Sequence, residues 1–268
     1  MYDGRDEPHR RYTTFSTPAS LGLPYNVLLE KVRTFLKKRK SSQPLFLYLN
    51  FYDTHFPYYH DNLLPLIDPA VLTRFQIHRD RMTELKSMYL NTAANIDRAL
   101  GIVLDEVRMT LKEVAVIVVS DHGESLFEDG FLGHGFMIND AQTRIPLIVT
   151  GLPIVIEEPF GQVDLREAIN AALLENPNST RNPALKKNPE KRVFQYIGFI
   201  SQPRQIAMTD LSGRIIYDFR SDLVQVGGAE WRRPGNLDPS EYAGFQKLVH
   251  FWESILLANK GGKSLLSP

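Results

Sequence analysis

The sequence predicts an α/β protein with a mostly parallel central sheet, followed by a small antiparallel α+β subdomain. Three observations predict it. Helix-period and strand-like segments alternate between residues 26 and 175. The strand-like runs "PLFLYLNF" (Pro44–Phe51) and "EVAVIVVS" (113–120) are nearly all apolar, as strands covered on both faces of a parallel sheet are. Between 190 and 225, short strand-like runs are separated by turns instead of helices.

Residues 1–22 carry no clear period and read as loop. From Asn26 to Lys40, Leu28, Leu29, Val32, Phe35 and Leu36 fall at helical spacing. That helix closes on Lys37, Lys38, Arg39 and Lys40, cations that suit the negative end of a helix dipole. Met82–Met109 is the clearest helix, with Met82, Leu85, Tyr89, Ala93, Ile96, Leu100, Val103 and Val107 on one face. "IPLIVT" (Ile145–Thr150) is a third strand and Leu165–Leu174 a short helix. The Pro-, Asn- and Lys-rich stretch from about 176 reads as a linker or surface loop. A glycosylation-like Asn178-Ser179-Thr180 there is read as chance. "VFQYIGFI", "QIAMTD" and "GRIIYDF" are short strands, the last two joined at a "SGR" turn, and Glu241–Ala258 is an amphipathic helix. The expected division is 1–176 for the α/β core and 177–268 for the second subdomain.

Bulk composition excludes several classes. The 268 residues are 43% hydrophobic and 23% charged, an ordinary balance for a globular chain. Lys+Arg and Asp+Glu are both 31, so no net charge points to nucleic acid as a partner. There is no cysteine, which rules out disulfides, thiolate metal sites and a cysteine nucleophile. No stretch reaches the roughly 20 apolar residues of a membrane span. The polar start "MYDGRDEPHRR" is not a secretory signal, so a cytoplasmic location or a targeting segment outside this chain is expected.

In open α/β sheets, chemistry collects beyond the C-terminal strand ends. Here "LYLNFYDTHFP" offers Asp53 and His55, "VIVVSDHGE" offers Asp121 and His122, and the next loop adds His134 in "GHG". Three of the seven histidines therefore sit on two loops that could share one sheet edge. An Asp-His pair at a strand exit can aim a carboxylate and a neutral imidazole at one divalent cation. Gly123 permits the sharp turn this needs. His9, His60, His78 and His250 stand in no such pattern and are read as ordinary histidines.

Taken together, "SDHGESLFEDGFLGHG", "TRIPLIVTGLP" and the upstream "FLYLNFYDTHFPY" resemble the sulfatase family of the alkaline-phosphatase superfamily, which includes envelope phosphoethanolamine and phosphoglycerol transferases. The resemblance covers roughly residues 40–175. It implies an alkaline-phosphatase-like α/β sandwich and a divalent ion (Ca, Mn, Mg or Zn) held by Asp121 and His122. It also implies that His55 and His134 contact the oxygens of a sulfate or phosphate ester. Such an ion and its neighbouring imidazoles would stabilise charge on a tetrahedral anion during displacement. The implied location is the bacterial periplasm or a form anchored in the inner membrane.

The family pattern also includes an earlier strand ending in acidic ligands and a Cys, Ser or Thr nucleophile at a helix N-terminus. Only about 54 residues precede His55, and none forms such a strand. Ser16 in "FSTPASLG" superficially matches the nucleophile motif, but it lies too near His55, and the stretch reads more simply as a turn. The expectation is therefore the C-terminal portion of a sulfate-ester hydrolase, inactive without the N-terminal part of the same protein. Two alternatives stand beside it: a phosphoethanolamine- or phosphoglycerol-type transferase, and a non-catalytic module binding an anion or a partner.

Overall fold

The computed structural model describes residues 24–39, 44–67, 71–174 and 191–260. The chain mixes helix and sheet and divides into two units. The first runs to Val114 and includes Leu126–Gly133; the second holds Ala115–Ser125 and everything from His134 on. Ser16, the Asn178-Ser179-Thr180 pattern and the early loop lie outside the described residues.

In the first unit, α1 (Tyr25–Lys38) and α2 (Met82–Arg108) pack together. Tyr25, Leu29 and Val32 meet Ala99, Val103 and Val107, and Leu47, Leu49 and Phe51 close over them. Pro44–Phe51 is extended but forms no ladder with any described residue. Its side chains alternate, so that Leu47 and Leu49 pack inward while Phe46 and Tyr48 stand exposed. The buried stripe of α2 is also rotated from the expected one. It runs through Leu85, Met88, Asn91, Thr92, Asn95, Ala99, Val103 and Val107. Hydrogen bonding explains the rotation. The Asn91 Oδ1 accepts from the amides of Leu66 and Ile67, and Asn95 both donates to and accepts from the backbone of Leu64. Two buried amides thus replace the backbone partners that the 63–67 loop lacks.

The second unit opens with β1 (Val116–Val119), followed by the two-residue strands β2 (Ser125–Leu126) and β3 (Leu132–Gly133), of which Leu126 onward belongs to the first unit. Next come α3 (Asp140–Thr143), β4 (Leu147–Thr150) and α4 (Gln162–Leu174). The mostly parallel central sheet is not shown: β1 pairs with β4, and the pair is antiparallel, Val116 opposite Thr150 and Val119 opposite Leu147. The apolar run predicts burial, but Val119 is 41% and Ile148 56% exposed. Hydrophobicity marks a strand without specifying the direction of its neighbour.

The C-terminal strands agree better with the sequence. β5 (Val193–Phe199), β6 (Gln202–Asp210), β7 (Gly213–Asp218) and β8 (Leu223–Val226) form one antiparallel meander, and β8 is a strand that the sequence pattern does not reveal. α5 (Pro239–Lys260) lies on it. Leu248 is fully buried with Ile206 and Met208, and Trp252 donates from Nε1 to the carbonyl of Ile200. Among the described residues no helix is long and apolar enough to cross a membrane.

Candidate functional site

The site begins where β1 runs out. Ser120 and Asp121 leave the strand, and the side chain of Gln162, first residue of α4, donates to both of their carbonyls at 2.8 Å. Asp121 then turns back, its Oδ1 accepting from the amide of His122 at 3.0 Å. Its carboxylate is 87% exposed, and Oδ2 stands 3.7 Å from His122 Nε2.

The imidazole of His122 is oriented by its other nitrogen. Nδ1 lies 3.0 Å from the carbonyl oxygen of Gly123, so Nδ1 carries the proton and Nε2 the lone pair. Two electron-rich atoms then face each other across 3.7 Å. Ligands sharing one zinc at about 2.1 Å in a tetrahedral shell sit about 3.4 Å apart. The gap suits a divalent ion.

His134 arrives from the loop after β3 and packs its ring against His122, centroids 3.8 Å apart. Its Nδ1 pairs with Oε1 of Glu124, a carboxylate only 6% exposed. That pairing again places the lone pair on Nε2, the arrangement by which carboxylates orient metal-binding histidines. One ligand atom each from His122, Glu124 and His134 lies within 4.8 Å of the other two. A single ion bound by all three would need the His122 and His134 side chains to shift, and both are about a third exposed. The residues fit a divalent cation.

Behind the cluster lies a buried polar layer. Asn139 caps α3, its Oδ1 accepting from the amide of Gln142 at 3.0 Å. Asn139 Nδ2 and Gln142 Nε2 both donate to the hydroxyl of Ser125, which is fully buried. α3 is fixed to the meander by Arg214, which pairs with Asp140 at 2.8 Å and donates to Thr143. Gln205 of β6 holds the segment before α3 by accepting from the amide of Ile138.

His55 belongs to the first unit. Its Nδ1 lies 3.1 Å from the carbonyl of Phe56, and its ring stacks on Tyr52 at 4.9 Å. The loop that carries it is anchored by Asp53, whose side chain is wholly buried. Asp53 Oδ1 accepts from the first amide of α1 at 3.1 Å and from His60 Nε2 at 2.6 Å. Asp53 thus serves as an acceptor at a helix N-terminus, where a carboxylate is favoured. His60, read from the sequence as ordinary, is its partner.

The structure therefore brings together Asp121, His122 and His134. Glu124 is the member that sequence reasoning missed. Its position two residues after His122 in "DHGE" was the available signal. Comparison with curated proteins and with solved structures finds no match. The family model described as Sulfatase matches residues 6–155, more than half of the chain. This chain belongs to the sulfatase family.

Proposed function

We propose that this chain carries the metal- and anion-binding part of a sulfatase-type hydrolase acting on sulfate esters. Asp121 and His122 hold a divalent ion, and His134 and His55 contact the ester's oxygens. The reading includes the family's α/β sandwich around a mostly parallel sheet, with 177–268 as its C-terminal subdomain. The observation that carries it is the His122–His134 pair: two imidazoles in ring contact, each with Nδ1 bound to an oxygen, beside two carboxylates. Neutral imidazole with carboxylate is a donor set for zinc or manganese more than for calcium or magnesium.

Bound there, the ion would supply Lewis-acid stabilisation of a tetrahedral anion. The chain's own residues do the rest. Gly123's carbonyl and Glu124 hold the two imidazoles in one tautomer, and Gln162 fixes the strand exit. An imidazole held at Nδ1 in this way keeps Nε2 in a fixed direction, and with a proton there as well it donates to an equatorial oxygen without reorganising during displacement.

The test is hydrolysis of an aryl sulfate and an aryl phosphate by the full-length protein containing this chain, with and without a chelator. Sulfate-ester turnover lost on chelation and in His122→Ala is expected. Turnover of the phosphate ester alone would move the protein to the transferase reading, and turnover indifferent to both chelator and mutation would refute the site.

A further inference from the structure

Two short loops supply the imidazoles, the 122–125 exit of β1 and the 133–135 turn, and something must hold their separation. We propose that Gln142 is the positioning residue of the cluster, clamping both loops from behind with one backbone carbonyl and one side chain. It acts on the imidazoles through the loops that carry them.

The clamp has four contacts. The Gln142 carbonyl accepts from the amide of Gly123 at 2.8 Å, gripping the loop that carries His122 and Glu124. The side-chain Oε1 accepts from the amide of Gly135 at 2.8 Å, gripping the loop that carries His134. Nε2 donates to the Ser125 hydroxyl at 3.2 Å, a second hold on the first loop. The Gln142 amide donates to Asn139, which fixes α3 itself. Gln142 is 5% exposed and Ser125 not at all, so water cannot stand in for the bond between them.

Steric contact tightens the same joint. A Cβ on Gly123 would overlap the carbonyl oxygen of Ala141, so the loop already lies flush against the backbone of α3. Gly135, at φ +80, turns in the left-handed region where a glycine is favoured, and this aims its amide at Gln142. Each loop is therefore built to meet this one residue.

The proposal rests on the preceding reading only in taking the cluster as the cation site, and its test separates the two. Protein labelled with 15N in the histidine rings is compared with Gln142→Met, which keeps length and burial but loses the acceptor for Gly135 and the donor to Ser125. In the native protein the ring nitrogens of His122 and His134 should show Nδ1 protonated and Nε2 not. In Gln142→Met both pairs of signals should move toward tautomer-averaged values, while those of His60 and His250 stay in place. Zinc affinity, titrated on the same samples, should fall about 10-fold or more, as it does when an outer-shell partner is lost. Ser125→Ala removes the second hold and the bond from Asn139 but leaves Gly123 and Gly135 on Gln142, and should shift the signals less. If Gln142→Met is too unstable to purify, the signals of Ser125→Ala decide in its place. Unmoved His122 and His134 signals in a folded variant would overturn the proposal. A native protein that binds no zinc would sink the cation reading while the ring shifts still decide the role of Gln142.

Discussion

Gly123 leaves no room for a side chain. With its Cβ forced into a backbone oxygen, Gly123→Ala must push β1's exit away from α3. Overpacking of this kind costs about 1–3 kcal/mol. A lower urea midpoint, together with weaker zinc binding, is the expected result. A second residue governs behaviour in acid. Burial works to raise the Asp218 carboxyl, but bonds from Gln205 Nε2 and from the amides of Ser221 and Arg220 outweigh it and hold it below the usual range. A depressed folded pKa means that its contribution is complete above the unfolded value of about 3.9 and fades as pH falls through the folded one. The urea midpoint should therefore drop below about pH 4, and Asp218→Asn should lower it at neutral pH and flatten that acid limb. Glu124 shows what sequence reading misses at this scale. An acid two residues past a histidine looks like surface charge until its burial and its pairing with His134 are seen.

At the scale of elements, period and composition locate helices well and partners poorly. α1, α2, α4 and α5 each begin and end within a few residues of the spans their apolar spacing predicts. Three of the meander's four strands were legible because they are separated by turns too short for anything but antiparallel neighbours. The neighbour of β1 was not, because an apolar run marks a strand and says nothing of its neighbour's direction. The face of α2 was misjudged for a related reason. Hydropathy counts Asn91 and Asn95 as outward-facing, yet both are buried to satisfy the 63–67 backbone. That explanation makes a prediction. Asn95→Leu keeps the volume but leaves the amide and carbonyl of Leu64 without their partner, and should cost ~1–3 kcal/mol by urea denaturation. A gain in stability would mean that the loop's bonds are readily replaced by water. A Cβ on Gly244 of α5 would lie 2.4 Å from Ile215 Cδ1, so the end of that side chain would have to turn aside.

For the whole molecule, the family was legible in the order of three short motifs, and the family match bears it out over residues 6–155, beginning earlier than the 40–175 that those motifs suggest. The layer behind the cluster was not. Asn139 and Gln142 sit among ordinary polar residues, and only tertiary contact shows that they close on Ser125, Gly123 and Gly135. Everything proposed for this chain turns on whether Asp121 and His122, beside Glu124 and His134, hold a divalent cation. Calorimetric titration of the protein with zinc tests this most directly, with His122→Ala and Glu124→Gln beside it. One bound ion per chain is expected, with binding abolished in His122→Ala and weakened in Glu124→Gln. Native and His122→Ala isotherms that superimpose, or a native protein that takes up no ion, would contradict it.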